Sequence, residues 1–119
     1  MKITLEELYK LQYKLDCYIV SKSKGSSRHV NLGGNAKMFL NDRITALFCE
    51  VGEFANANRG FKYWSRKPPE SRMRLLDEYA DILHFYLSIG NTMGFTPDEV
   101  EEAYLSKNAI NYKRQEENY

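Results

Sequence analysis

A chain of 119 residues has room for one domain of four or five helices, and 17 Lys and Arg against 16 Asp and Glu leave a formal net charge of +1. That balance excludes a polybasic surface for nucleic acid or membrane, so an anionic ligand must be met locally. No signal peptide and no apolar run of membrane-spanning length are found, which makes the cytoplasm the expected compartment.

The first helix is announced by Thr4 and Glu7 in capping-box spacing, followed by Leu5, Leu8, Leu11, Leu15, Tyr18 and Ile19 at helical intervals, and it should fade near Ser21. From Ser21 to Asn35 the chain is rich in Ser, Gly and Asn, which reads as a mobile loop and a candidate lid over substrate. A second helix is expected from Lys37 to Asn58, with a wide apolar face of Phe39, Leu40, Ile44, Leu47, Phe48, Val51, Phe54 and Ala55. Residues 60–71 hold Phe61, Lys62, Tyr63 and Trp64 ahead of Pro68-Pro69, an aromatic loop in which Trp64 either caps the core or offers its face to a planar ligand.

The third helix, Arg72 to Asn91, is apolar nearly all round and is expected to be central. The last helix has Thr96 as N-cap, Pro97 in the first turn and Glu99 to complete a capping box, and should run to Gln115. No strand-like alternation appears, so the class is all-α. Cys17 and Cys49 lie in apolar stretches and are expected to be small buried thiols without chemistry.

The acidic residues Glu50, Glu53, Glu78 and Asp81 form two pairs, each with three-residue spacing, in windows that are otherwise strongly apolar. On a helix each pair shares a face, and two facing helices can aim four carboxylates at one site. Gathered like charges repel, a divalent cation compensates them, and oxygen-only donors favour magnesium. On the last helix Lys107, Asn111 and Arg114 stay within roughly 40° of one line, a phosphate clamp of two cations about an amide. Gln12 lies between Leu8 and Leu15 where an apolar residue is usual, so its amide needs a buried partner or a ligand.

These segments resemble the dimeric dUTPase family, all-α nucleotide pyrophosphohydrolases related to MazG-type enzymes and dCTPases. The resemblance is carried by Glu50-Val-Gly-Glu53-Phe-Ala-Asn56, Phe61-Lys62-Tyr63-Trp64-Ser65, Glu78-Tyr-Ala-Asp81-Ile-Leu-His84-Phe85 and Lys107-Asn-Ala-Ile-Asn111-Tyr-Lys-Arg114-Gln115. It implies a four- to five-helix bundle spanning residues 1–119. Glu50, Glu53, Glu78 and Asp81 would hold Mg2+, with Glu50 or Glu53 as the catalytic carboxylate. Gln12, Trp64, His84, Phe85 and Asn91 would frame the uracil and deoxyribose, while Lys62, Lys107, Asn111, Arg114 and Tyr119 would hold phosphates. Family members carry additional helical sequence between the third-helix and terminal motifs. Here Ile89-Gly90-Asn91 runs almost directly into Met93-Gly94-Phe95-Thr96, so this chain is a compact version.

The expected activity is magnesium-dependent hydrolysis of dUTP, with dUDP as a further substrate, to dUMP by a homodimer or larger homo-oligomer that binds neither nucleic acid nor membrane. Two alternatives stand beside it: a MazG-like or dCTPase-like enzyme acting on another nucleotide, and a non-catalytic interaction protein that retains nucleotide binding.

Overall fold

Four α-helices and no strand make up the described residues, 2–22 and 36–118, of the computed structural model: α1 Leu5–Lys22, α2 Ala36–Asn58, α3 Arg72–Met93 and α4 Pro97–Glu116. The all-α class is as expected, and each boundary falls within two residues of its expected place. The proposed lid falls almost wholly on residues 23–35 and Tyr119 ends the chain; both lie outside the described residues, while Ser21 belongs to α1.

Side-chain caps set the starts. The Thr96 hydroxyl accepts from the Glu99 amide at 3.2 Å, and the Glu99 carboxylate accepts from the Thr96 amide at 2.9 Å, a complete capping box. The Thr96 backbone amide, and after it the Thr96 hydroxyl, favour the ionised form and hold the Glu99 carboxyl below its ordinary value. At α1 the box is half made, since Thr4 accepts from the Glu7 amide and turns its own hydroxyl proton toward the Glu7 carboxylate. Ser71 caps α3 by accepting from the Arg74 amide, and Gly94 ends it in the left-handed region at φ 77°, donating to Asn91 and Gly90. Only two residues separate Gly94 from Pro97, so α4 turns away immediately.

The central helix is α3, as expected, for it packs against both α2 and α1, whereas α4 lies against α1 and not against α2. At the α1–α3 crossing a Cβ on Gly90 would come within 2.9 Å of the Tyr9 ring, so only glycine admits this approach. Asn91 Nδ2 donates to the Tyr9 carbonyl at 2.9 Å and ties the same crossing. Burial, with the Tyr86 phenol beside it, pushes the Tyr9 hydroxyl up to about 12.

The buried face of α1 differs from the expected leucine stripe. Tyr9, Gln12 and Asp16 are the buried residues, while Leu11, Leu15, Tyr18 and Ile19 are exposed. The physical reason is that Gln12 and Asp16 find polar partners on α3, so a polar seam wins the crossing and the apolar stripe is left outside. The cysteines also depart from expectation: Cys17 is half-buried and Cys49 exposed, both as free thiols.

Buried apolar side chains are few among the described residues: Tyr9, Phe39, Ala57 and Leu87. Phe48, Leu76, Tyr79, Tyr104 and Leu105 are exposed by 62% or more. No helix among the described residues is long and apolar enough to cross a membrane.

Candidate metal centre and nucleotide site

Packing of α2 on α3 brings the two acidic motifs together. Glu50 from α2 and Glu78 and Asp81 from α3 each offer an oxygen, and these oxygens lie within 4.8 Å of one another. Three-residue spacing on α3 puts Glu78 and Asp81 on the face that meets α2, and the apolar residues around them keep the backbone helical beneath them. Glu53, one turn beyond Glu50, is exposed but close enough to act on Glu50 directly.

The electrostatics of this cluster suit a bound cation. Burial raises the Glu50 carboxyl above its ordinary value, and Glu53, Asp81 and Glu78 add like-charge repulsion. Glu50 Oε2 and Glu78 Oε2 are both buried with no hydrogen-bond partner. Such orphaned acceptors are costly unless something outside the protein satisfies them. Arg74 reaches Glu78 Oε1 at 3.0 Å, but its guanidinium is exposed and leaves the second oxygen untouched. Hard oxygen donors in this number fit magnesium or a similar divalent cation.

Gln12 and His84 are brought together. Gln12 Nε2 donates to Asp16 Oδ1 at 2.9 Å, and Gln12 Oε1 meets His84 Nδ1 at 2.5 Å across the α1–α3 interface. Both line a groove of about 240 Å³ whose other walls are Leu8, Leu11, Leu15, Ala80, Leu83 and Leu87. Phe85, on the next position of α3, lies under the Arg43 guanidinium at 5.6 Å, which also covers Phe39 at 4.4 Å.

The remaining expected base residues stand elsewhere. Asn91 spends its amide on the Tyr9 carbonyl, a tie between helices. Trp64 does not cap the core: it is 65% exposed, edge-on to Phe61 and Tyr63 in the loop. That loop is held from behind by Arg59, at φ 65°, whose guanidinium donates to the Ser65 hydroxyl at 2.7 Å and the Lys67 carbonyl at 3.2 Å. Anchored in this way, the loop presents its rings to solvent. Lys62 sits over Phe61 with its ammonium 5.7 Å from the ring.

The clamp residues Lys107, Asn111 and Arg114 share α4, but α4 does not meet α2 within one chain, so the clamp and the Glu50 carboxylate are not joined by helix packing. Lys107 instead lines a second groove with Leu5, Tyr86, Phe95, Val100 and Tyr104.

Sequence reasoning missed Asp16, Ser88 and Arg43. Asp16 is 2% exposed, accepts from the fully buried Ser88 hydroxyl at 2.6 Å, and has the Arg43 guanidinium at 3.9 Å. The signal was present in the spacing: Asp16 follows Gln12 by four, and Ser88 follows His84 by four, so the two polar pairs lie on facing stripes.

Comparison with known proteins comes to the same chemistry. A family profile described as dUTPase matches residues 4–94 and 86–119, two stretches that overlap at residues 86–94. A dCTP pyrophosphatase of Enterobacteria phage T4 is 24% identical over 119 aligned positions, covering 87% of this chain and 70% of that protein. The profile takes in nearly the whole chain, and the chain belongs to the dimeric dUTPase family of all-α, MazG-like nucleotide pyrophosphohydrolases.

Proposed function

We propose that this protein hydrolyses dUTP to dUMP and pyrophosphate in the presence of magnesium. The observation that carries the reading is the cluster of Glu50, Glu78 and Asp81 with two buried oxygens lacking partners, set in a chain of this family. Glu50, Glu53, Glu78 and Asp81 would hold the metal, which when bound supplies Lewis-acid polarisation of phosphate oxygens and an acidified water. Glu53 is the exposed carboxylate beside the cluster, which supports a role for it in orienting the attacking water and accepting its proton as the bond between the α and β phosphates breaks. Lys107, Asn111 and Arg114 would stabilise charge on the departing pyrophosphate.

The uncovered apolar surface supports a homodimer. Phe48, Leu76, Tyr79, Tyr104 and Leu105, each exposed by 62% or more, are the kind of surface that a partner subunit buries. Such a partner would also supply the clamp, with α4 of one subunit meeting the carboxylates of the other, since α4 does not pack against α2 in its own chain. With deoxynucleotides as substrate and free thiols at Cys17 and Cys49, the cytoplasm is the matching compartment.

One observation favours a second substrate, dCTP, since the phage relative is a dCTP pyrophosphatase. Pyrophosphate release across the deoxynucleotide triphosphates, with and without magnesium, separates the two. The proposal expects dUTP to be turned over fastest and only with the metal. A preference for dCTP would reassign the base, and absence of turnover with tight dUTP binding would make the protein a nucleotide-binding module.

A further inference from the structure

We infer that Asp16 is a positioning residue that fixes the tautomer of His84, and with it the hydrogen-bonding polarity of the groove between α1 and α3. The chain of constraint runs through one amide. Asp16 Oδ1 lies 2.9 Å from Gln12 Nε2, and an ionised carboxylate only accepts, so the NH₂ end of Gln12 must face Asp16. The carbonyl end then faces His84, where Oε1 is 2.5 Å from Nδ1. A carbonyl oxygen also only accepts, so Nδ1 carries the proton. Nε2 is left as the ring nitrogen with a lone pair for a ligand.

Asp16 is itself held against rotation. Its second oxygen, Oδ2, accepts from Ser88, which is fully buried on α3, and the Arg43 guanidinium at 3.9 Å supplies the opposite charge. A carboxylate with both oxygens engaged and 2% exposure is fixed strongly enough to dictate the orientation of a neighbouring amide. An asparagine at the same place could turn either end toward Gln12 and would dictate nothing. This gives a reason for an acid in so buried a position that packing alone does not supply.

The consequence for the ligand rests on the nucleotide reading above. Apart from Gln12 and His84, the groove walls are Leu and Ala, so the acceptors left to a ligand are Nε2 of His84 and the second lone pair of Gln12 Oε1, of which only Nε2 depends on the tautomer. An acceptor there selects a base edge that presents an N–H, such as N3–H of uracil, and discriminates against one that carries a methyl group in its place.

The test has two independent arms, both on the full chain. In the first, long-range ¹H–¹⁵N spectra of the histidine rings are recorded without nucleotide, at a pH where the imidazole is neutral, with His29→Gln used to assign the two histidines. The expected pattern for His84 is a protonated Nδ1 and an unprotonated Nε2, the opposite of the form that free neutral histidine prefers. Asp16→Ala should return His84 to the ordinary Nε2–H form, whereas Ser88→Ala, which leaves the Asp16–Gln12 bond in place, should not. A wild-type His84 with Nε2–H overturns the inference even if no variant folds; so does an Asp16→Ala protein that keeps the Nδ1–H form. In the second arm, dUMP and 3-methyl-dUMP are compared by calorimetry. Methylation should weaken binding by about tenfold or more, and equal affinity would refute the assignment of Nε2 to the base. Failure of dUMP to bind at all would instead sink the nucleotide reading while the spectra still decide the tautomer.

Discussion

Glu50 on α2 and Glu78 on α3 each leave a buried carboxylate oxygen without a hydrogen-bond partner, although both belong to one group of oxygens within 4.8 Å. Two unsatisfied acceptors on facing helices are a standing cost to the packed state, and a divalent cation held there would remove it.

Removing one of these ligands should separate activity from folding. Glu78→Gln and Glu53→Gln are expected to lower pyrophosphate release by a factor of about 10² or more, since both metal positioning and proton acceptance are touched. The helical circular dichroism should be unchanged. Turnover at the wild-type rate in either variant would remove its residue from the metal site.

The raised carboxyl of Glu50 predicts how stability without metal responds to pH. A group whose folded-state pKa lies above its unfolded value contributes stability below the unfolded value, and that contribution is lost as pH rises through the folded one. In EDTA, therefore, the melting temperature should fall as pH rises through the carboxylate range toward neutrality. Glu50→Gln should blunt that fall and melt higher than wild type at neutral pH, while magnesium raises the wild type alone. Parallel pH profiles for the two proteins would contradict the electrostatic account.

At the helix crossing, Gly90→Ala would place a methyl group 2.9 Å from the Tyr9 ring. Tyr9 is buried and its backbone is held by Asn91, so it has little room to yield. The expected cost is about 1–3 kcal/mol in urea unfolding. A variant as stable as wild type would mean that α1 slides on α3 more freely than this packing implies.

A shared site predicts rescue by mixing. Glu53→Gln lacks the proton acceptor and Arg114→Ala lacks part of the clamp, so each homodimer should be poorly active. Co-refolding at equal concentrations should give about a quarter of wild-type activity, because half the dimers are mixed and each mixed dimer has one intact site. No recovery would place clamp and carboxylates in the same chain.

How much of this was legible in the sequence depended on the kind of signal. Helix boundaries were readable because Thr96, Ser71 and Gly94 act within a turn of where they stand, and local chemistry is written locally. Glu50, Glu78 and Asp81 were readable because charge in an apolar window needs a reason. The face of α1 was not readable: periodicity promoted the leucines, and the seam chosen instead depends on Ser88 and His84, 72 residues distant from their partners. Sequence left Trp64 between a core cap and a ligand face for a related reason, since the exposure of an aromatic loop depends on how Arg59 anchors it. The separation of α4 from α2 followed from a two-residue turn after Gly94 that sequence pattern identifies but does not orient.

Gly52 stands between Glu50 and Glu53 in the middle of α2, and, its own helix backbone apart, a Cβ built there would meet no atom of the described residues within 4 Å. Within one molecule, then, alanine at this position has only a benefit, a gain of about 1 kcal/mol in helix propensity. This makes Gly52→Ala a silent reporter: any loss of turnover or of assembly that it causes must come from something that approaches the bare backbone from outside, be it substrate or a second subunit.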